Sequence, residues 1–345
     1  MKNIVIIGGG TGTFTLLSGL RKFPTNNSVI VSSSDDGGST GRLRKDLGVF
    51  PPGDLRQCLI GLSYTEEHLK ELFNYRFNKG ELNGHTAGNI ILATLEKITG
   101  SVDEALLLAS KILNVRGRVV PVTLKPTLLT AILQNGKKII GEHKIDQPRR
   151  IQNSKFKIQD LQLKPNGPAN PQAVEVLKHA DVIVLGPGDL YTSILPNLLV
   201  KGVREAIDAS KAKKVLVVNL MTRPGQTDGF APSDFVSELN KYLGNKKLDS
   251  VVINSKKPSV DAIKKYKKTG AEPVTSEANA LSKIEVIKSD LVFHQTFKKT
   301  KGDSLERSIL RHDADKLAKI IYELGIKSSK NKSPRWGKLG IMIYE

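Results

Sequence analysis

The chain has 345 residues, a hydrophobic fraction of 39%, a charged fraction of 25% and a formal net charge of +19 at pH 7. These values are typical of a soluble globular protein with a sizeable core and exclude a fibrous or largely disordered one. Residues 241–345 hold 23 Lys and Arg against 12 Asp and Glu, without a nucleic-acid-binding motif. A solvated lysine surface is therefore favoured, and nucleic-acid binding is disfavoured.

The apolar segments and the cysteine content indicate the cellular compartment of the protein. No apolar run approaches the roughly 20 residues that span a bilayer, so we expect no membrane span. Residues 1–8 are too short and too rich in glycine for a signal peptide. The single cysteine, Cys58, cannot form an internal disulfide and is expected to be a small core residue. These features predict a cytoplasmic protein.

The start of the chain predicts a βαβ unit. Residues 4–7 form a continuous β-branched run that ends in glycine, which is typical of a strand buried on both faces. Residues 14–23 have helical spacing, and residues 28–33 predict a second strand. A strand, a glycine loop, a helix and a strand in this order predict a right-handed crossover and a parallel sheet.

The middle of the chain changes character. Residues 54–113 are mainly helical in pattern, and residues 119–122 predict a strand. In residues 128–163, Asn135-Gly136 lies between two apolar runs, which is a strong hairpin signal. We interpret this stretch as a small β insertion.

The βα alternation then returns. Residues 182–185, 215–220 and 250–253 predict strands, and a last helix is expected over 313–324. The fold class is α/β: a Rossmann-like, doubly wound, mostly parallel sheet with a small β-hairpin insertion. We expect a single nucleotide-binding domain over residues 1–325 and a basic, flexible tail over 326–345.

Five short blocks pair glycine with carboxylate or hydroxyl side chains. They occupy residues 8–12, 35–41, 51–56, 84–89 and 186–189, and at least three follow a predicted buried strand. In an open α/β sheet such loops hold phosphorylated ligands at the carboxyl ends of the strands. The blocks together predict a nucleotide or sugar-nucleotide site.

The first block departs from the dinucleotide fingerprint G-x-G-x-x-G, because Thr13 or Thr15 stands at the third glycine position. Its backbone amides can still bind phosphate. Asp35 ends the second predicted strand, where Rossmann proteins hold ribose hydroxyls, and Asp36 stands beside it. One carboxylate could bind hydroxyls and the other Mg²⁺, without a basis for assigning which.

The other blocks add polar groups. Asp54 is a candidate helix N-cap, and Arg56 suits an anionic ligand because guanidinium binds phosphate through two hydrogen bonds. His85 and Asn89 are expected to donate or accept ligand hydrogen bonds. Tyr266 is expected either to stack on a base or to pack at the surface.

The predicted site is therefore extensive. The nucleotide-binding residues are Gly8, Gly9, Gly10, Thr11, Gly12, Asp36, Gly37, Arg56, His85, Asn89, Gly186, Gly188, Asp189, Tyr266 and Arg311. Asp35 and Asp36 are the predicted metal ligands, and the catalytic groups if the chain is a transferase.

The motifs GGGTG, DDGGSTG, PPGDLRQ, GHTAGN, GPGDLYTSI and RHD occur in this order. In this the chain resembles the gluconeogenesis factor (YvcK-like) family, which is related to CofD, the 2-phospho-L-lactate transferase of coenzyme F420 synthesis. The resemblance covers residues 1–325. It implies a Rossmann-like fold and a nucleotide-diphosphate site lined by residues 8–12, Asp36 and residues 186–189, with Arg311 at the phosphates.

Two functions follow from the resemblance. YvcK-like members are associated with binding of UDP-sugars, notably UDP-N-acetylglucosamine, and with cell shape and wall synthesis during gluconeogenic growth, without an established catalytic activity. CofD members are Mg²⁺-dependent transferases that act on a guanosine-linked donor. An aromatic content of 5% offers few stacking surfaces for the deazaflavin acceptor. We therefore expect a UDP-sugar-binding regulatory protein, with the transferase as the alternative.

Further expectations concern other ligands and assembly. The broken fingerprint disfavours an NAD-dependent redox enzyme, although a dinucleotide could occupy the same crevice. The sequence makes no cofactor certain: a UDP-sugar ligand is expected, and an NAD-like dinucleotide or Mg²⁺ could also bind. A homodimer is expected from the habit of the fold.

Overall fold

The computed structural model describes residues 1–147, 157–245, 247–278, 281, 284–293 and 310–330. Its centre is a parallel sheet of seven strands, which confirms the predicted fold class. The strands are β1 Lys2–Ile7, β2 Thr25–Val31, β3 Arg118–Pro121, β7 Val182–Leu185, β8 Lys213–Val217, β9 Ser250–Asn254 and β10 Glu285–Ser289. Their order across the sheet is β10-β9-β8-β7-β1-β2-β3.

Helices cover both faces of this sheet. They are α1 Gly10–Leu20, α2 Gly38–Leu47, α3 Pro52–Leu62, α4 Glu67–Asn74, α5 Ala87–Thr99, α6 Val102–Ile112, α7 Glu142–Ile145, α8 Pro171–Lys178, α9 Leu195–Leu198, α10 Val203–Ala209, α11 Pro232–Tyr242, α12 Val260–Lys267 and α13 Ala314–Lys330. Among the described residues, none of these helices is long and apolar enough to cross a bilayer.

Alternate residues of the central strands pack into two separate hydrophobic cores. In β1, Ile4 and Ile6 pack with apolar side chains of α1, α3 and α13, whereas Val5 and Ile7 pack with those of α8, α10 and α11. Because both faces of the strand are buried, its sequence is continuously apolar rather than alternating. The sheet is therefore held between two helical layers.

A second, antiparallel sheet forms the predicted β insertion. It consists of β4 Leu128–Leu133, β5 Lys138–Ile140 and β6 Ile158–Lys164, in the order β5-β4-β6. Gly136, with φ of +80°, makes the turn between β4 and β5, as its Asn-Gly signal predicts. The insertion is thus larger than a hairpin, because β6 adds a third strand.

Some element bounds differ from those expected. Strand β10 was not predicted, because its alternating, half-exposed residues give a weak apolar signal. The last helix continues to Lys330, beyond the expected end at residue 324 and into the predicted tail. The rest of that tail, residues 331–345, lies outside the described residues.

The strand order defines a crevice. β1 pairs with β2 on one side and with β7 on the other, so the chain runs outward in opposite directions from β1. At such a point the loops that follow the two central strands diverge and leave a crevice at the carboxyl edge of the sheet.

Candidate functional site

The two predicted glycine loops meet at this crevice. The loop of Gly8 and Gly9 follows β1, and the loop of residues 186–189 follows β7. The Thr13 hydroxyl donates a hydrogen bond to the Pro187 carbonyl at 3.3 Å. A Cβ added to Gly12 would lie 2.5 Å from the same oxygen. The missing side chain of Gly12 therefore allows the two loops to touch.

The first loop is already occupied by a carboxylate of the chain. Asp54 lies in the first turn of α3, but its side chain reaches the start of α1 and accepts a hydrogen bond from the Gly10 amide. A Cβ added to Gly9 would lie 2.0 Å from Asp54 Oδ2. The Gly10 amide, one of the groups predicted to bind a ligand phosphate, thus binds Asp54, which is not the N-cap of α3.

Asp35 lies next to Asp54. Its carboxylate accepts a hydrogen bond from the Gly37 amide at 2.9 Å and packs against Gly53, where an added Cβ would lie 2.8 Å from Asp35 Oδ2. Burial raises the pKa of Asp35. Burial also raises the pKa of Asp54 to about 7, with a further contribution from Asp35 and opposition from the Gly10 amide and Arg56. The charge of Asp35 therefore makes Asp54 harder to ionise.

Asp36 points elsewhere. Its Oδ1 accepts a hydrogen bond from the His143 amide at 2.8 Å. A Cβ added to Gly141 would lie 2.5 Å from its Oδ2. Neighbouring residues of an extended segment face opposite sides, and here Asp36 holds the start of α7. Burial is the main cause of the raised pKa of Asp35, and the charge of Asp36 adds to it, so Asp35 has acidic neighbours in both Asp36 and Asp54. No group of three or more metal-ligating side chains occurs among the described residues.

Three crevice residues were missed by the sequence reasoning: Glu142, Asp146 and Arg223. Glu142 accepts a hydrogen bond from Ser34 at 3.0 Å. Burial raises the pKa of Glu142 well above its usual value, and the charges of Asp35, Asp146 and Asp54 add to this. The first two residues lie in the insertion, whose sequence contains no ligand-binding signal. Arg223 follows the end of β8, where the strand prediction could have pointed to it.

The second loop has a different environment. The Gly188 amide donates to Asn219 Oδ1 at 3.3 Å, and Arg223 Nε lies 3.7 Å from Asp189 Oδ2. Burial raises the pKa of Asp189, and Arg223 opposes this shift. The second loop therefore carries the Asp189 carboxylate and lies beside the Arg223 guanidinium.

The block at residues 84–89 forms a buried hydrogen-bond chain with Arg56. Arg56 Nε donates to Asn89 Oδ1 at 2.9 Å, and Asn89 Nδ2 donates to the Ser39 hydroxyl at 3.2 Å. Ser39 in turn lies 3.0 Å from His85 Nδ1. Arg56 is 3% exposed and also donates to the Phe73 carbonyl and to Asn74. Arg56 thus joins α3 to α5 and to the end of α4. At the other end of the chain of hydrogen bonds, burial lowers the pKa of His85.

The remaining predicted residues lie toward the β8 and β9 end of the crevice. The Tyr266 hydroxyl accepts a hydrogen bond from the Leu310 amide at 3.1 Å. The charge of Asp189 is the main cause of the raised pKa of Arg223, and Tyr266 adds to it. The Arg311 carbonyl accepts from the Phe293 amide at 3.0 Å. Next to it, His312 Nε2 bonds to the Val218 carbonyl at 3.3 Å, and burial lowers the pKa of His312 to about 4. A neutral imidazole thus packs residues 310–312 against β8.

Comparison with known proteins agrees with this architecture. Residues 4–292 match the family model of 2-phospho-L-lactate transferase CofD. The gluconeogenesis factor of Bacillus subtilis is 39% identical over 324 residues, which covers 93% of this chain and 97% of the relative. The chain belongs to the gluconeogenesis factor family. The family member from Halalkalibacterium halodurans is 40% identical over 326 residues, with 93% and 96% coverage.

A solved structure supports the same family fold. The crystal structure of a upf0052-family protein from Bacillus halodurans matches with a TM-score of 0.84 and 39% identity, covering 93% of this chain and 99% of that one. The family resemblance carried by the glycine and aspartate motifs is therefore confirmed, as is the α/β architecture around the crevice.

Proposed function

We propose that this member of the gluconeogenesis factor family is a cytoplasmic regulatory protein that binds a nucleotide-diphosphate sugar of the UDP-N-acetylglucosamine type and supports cell shape and wall synthesis during gluconeogenic growth. The observation that carries the proposal is the contact of the two glycine loops at the point where the strand order reverses. Sheets of this kind bind nucleotides there because several loops converge on one crevice.

The charges in the crevice suggest how the ligand is oriented. Asp54 already occupies the amide of Gly10, so a phosphate there would meet a carboxyl rather than a free N–H group. Arg223, beside the second loop, offers the guanidinium geometry that suits phosphate oxygens. We therefore place the diphosphate near the second loop and the sugar hydroxyls, which donate to carboxylates, near Asp35 and Asp54. Tyr266, close to Arg223, is the candidate for contact with the base.

The test is calorimetric titration of the purified protein with UDP-N-acetylglucosamine, GDP and NAD, with and without Mg²⁺. Each ligand is then recovered and analysed by mass spectrometry. Selective binding of the uridine sugar, with the ligand recovered intact, supports the regulatory function. If none of the three nucleotides binds, the proposal is wrong.

The alternative is an Mg²⁺-dependent transferase of the CofD type. The adjacent Asp35 and Asp54 carboxyls favour it, because carboxylate oxygens are the ligands that Mg²⁺ prefers. These two residues would hold the ion, which would neutralise charge on the donor phosphates. Asp36 instead accepts a hydrogen bond from the His143 amide in the insertion. On this proposal, Asp35→Asn abolishes turnover of a guanosine-linked donor and leaves most of the ligand binding. A donor recovered unchanged from the wild-type protein contradicts it.

A further inference from the structure

Asp146 connects the insertion to the crevice. Its Oδ1 accepts hydrogen bonds from the Thr192 hydroxyl at 3.1 Å and from Gln226 Nε2 at 2.8 Å. Its Oδ2 lies 3.4 Å from Arg223 Nη2. One carboxylate thus joins the end of α7 to the helical turn Leu190–Ile194, which follows the second glycine loop, and to the loop after β8.

Arg223 is held loosely between two carboxylates. Its nearest carboxylate oxygens, on Asp146 and Asp189, are 3.4 and 3.7 Å away, longer than the usual 2.7–2.9 Å of a charge-assisted hydrogen bond. Within the described part of the chain, Arg223 Nε has no hydrogen-bond partner although it is buried. The side chain is 38% exposed. This guanidinium therefore has unused donor capacity at the edge of the crevice.

The two oxygens of Asp146 have different tasks. Oδ1 accepts hydrogen bonds from the neutral side chains of Thr192 and Gln226, whereas Oδ2 faces the Arg223 guanidinium. Asp146 also adds to the raised pKa of Asp189, so the two acidic groups on either side of Arg223 repel each other. A phosphate that approaches Arg223 therefore competes with these carboxylates for the guanidinium.

We propose that Asp146 is an internal competitor for the ligand: it pairs with the Arg223 guanidinium when no ligand is bound, and a diphosphate displaces it. This inference rests on the proposed nucleotide-diphosphate binding and adds its regulation. Loss of the contact removes the cation from Asp146 and loosens the tie between α7 and the crevice loops. Ligand occupancy is thereby transmitted to the insertion.

Thermodynamic reciprocity makes the proposal testable. If the ligand breaks the contact of Asp146 with Arg223, then breaking that contact by mutation must favour the ligand. Asp146→Asn removes the charge while its side-chain oxygen can still accept from Thr192 and Gln226. We expect it to bind UDP-N-acetylglucosamine about tenfold more tightly than the wild type. A residue with only a structural role would weaken binding when mutated.

The measurement is calorimetric titration with UDP-N-acetylglucosamine, combined with amide hydrogen exchange of residues 142–146. In the wild type, ligand should increase exchange in this segment, and in Asp146→Asn the increase should be absent. The matched control is Asp160→Asn, which removes a charge from the same insertion where the carboxylate accepts from Tyr242. It should leave the affinity unchanged. Asp146→Ser is the second variant if Asp146→Asn fails to fold.

The outcomes separate the two proposals. Wild-type binding with unchanged or weaker affinity in a folded Asp146 variant overturns the competition and leaves the proposed function intact. A comparable gain in Asp160→Asn also overturns it, because the effect would then reflect net charge alone. Absence of binding by the wild type overturns both.

Discussion

The two glycine loops of the crevice follow the same local pattern but lie in different electrostatic environments. After β1, the Gly10 amide is bound by the Asp54 carboxylate, with Asp35 next to it. After β7, the Gly188 amide is bound by the neutral Asn219, and Arg223 is close. A glycine loop makes backbone amides accessible, but the side chains that reach it from other elements determine which ligands they can bind.

The largest expected effect tests the cationic side of this comparison. Arg223→Ala removes the guanidinium beside the second loop, and we expect UDP-N-acetylglucosamine affinity to fall about 30- to 100-fold, or about 2–3 kcal/mol. Calorimetry measures it. Arg204→Ala, at an exposed position of α10, is the matched control and should bind as the wild type does. Equal affinity of both variants would place the diphosphate elsewhere.

The next effect tests the contact between the loops. Gly12→Ala would put a Cβ 2.5 Å from the Pro187 carbonyl oxygen and 2.9 Å from its carbon, both backbone atoms. We expect the free energy of unfolding to fall by about 1–3 kcal/mol in urea denaturation. Gly37→Ala is the control, since its added Cβ meets nothing closer than 3.5 Å. A loss no larger than that of the control would mean that the loops separate at little cost.

A pH effect tests the acidic side. The pKa of Asp54 is raised from 3.8 to about 7 in the folded protein, so the native state holds a proton that the unfolded chain has released. This contribution to stability is complete below the unfolded pKa and is lost as the pH rises through about 7.

Asp54→Asn removes that titration and keeps an acceptor for the Gly10 amide. The stability of the wild type relative to this variant should therefore fall as the pH rises between about 4 and 8, as followed by urea denaturation. Asp228→Asn, at an exposed position, is the control. Parallel curves for wild type and Asp54→Asn would show that Asp54 titrates normally.

The smallest effect concerns the Gly188 amide. Asn219→Ala removes its acceptor, and we expect about 0.5–1.5 kcal/mol of destabilisation in thermal or urea unfolding. Because the bond of 3.3 Å is long, the ligand affinity should change less than in Arg223→Ala. A larger loss of affinity would make Asn219 a direct ligand contact.

Local patterns predicted the elements around the crevice but not the partners of each side chain. The apolar run of β1 and the Asn-Gly turn of the insertion are read from neighbouring residues, because burial on both faces and tight-turn geometry are local requirements. Arg56, a predicted phosphate ligand, donates to Asn89, 33 residues away. Asp36, a predicted metal and nucleotide ligand, accepts from the amide of His143, 107 residues away. No local pattern contains such contacts.

The sequence by itself determined the family, the parallel α/β sheet and the loops at its carboxyl edge, because hydrophobic periodicity and glycine motifs reflect constraints within a few residues. Only the tertiary structure decided which carboxylate meets which cation or amide. Asp54 reaches α1, and Asp146 reaches Arg223, through packing of elements far apart in the chain. In a partly desolvated crevice, charges interact more strongly than in bulk water, so these long-range placements set its electrostatics.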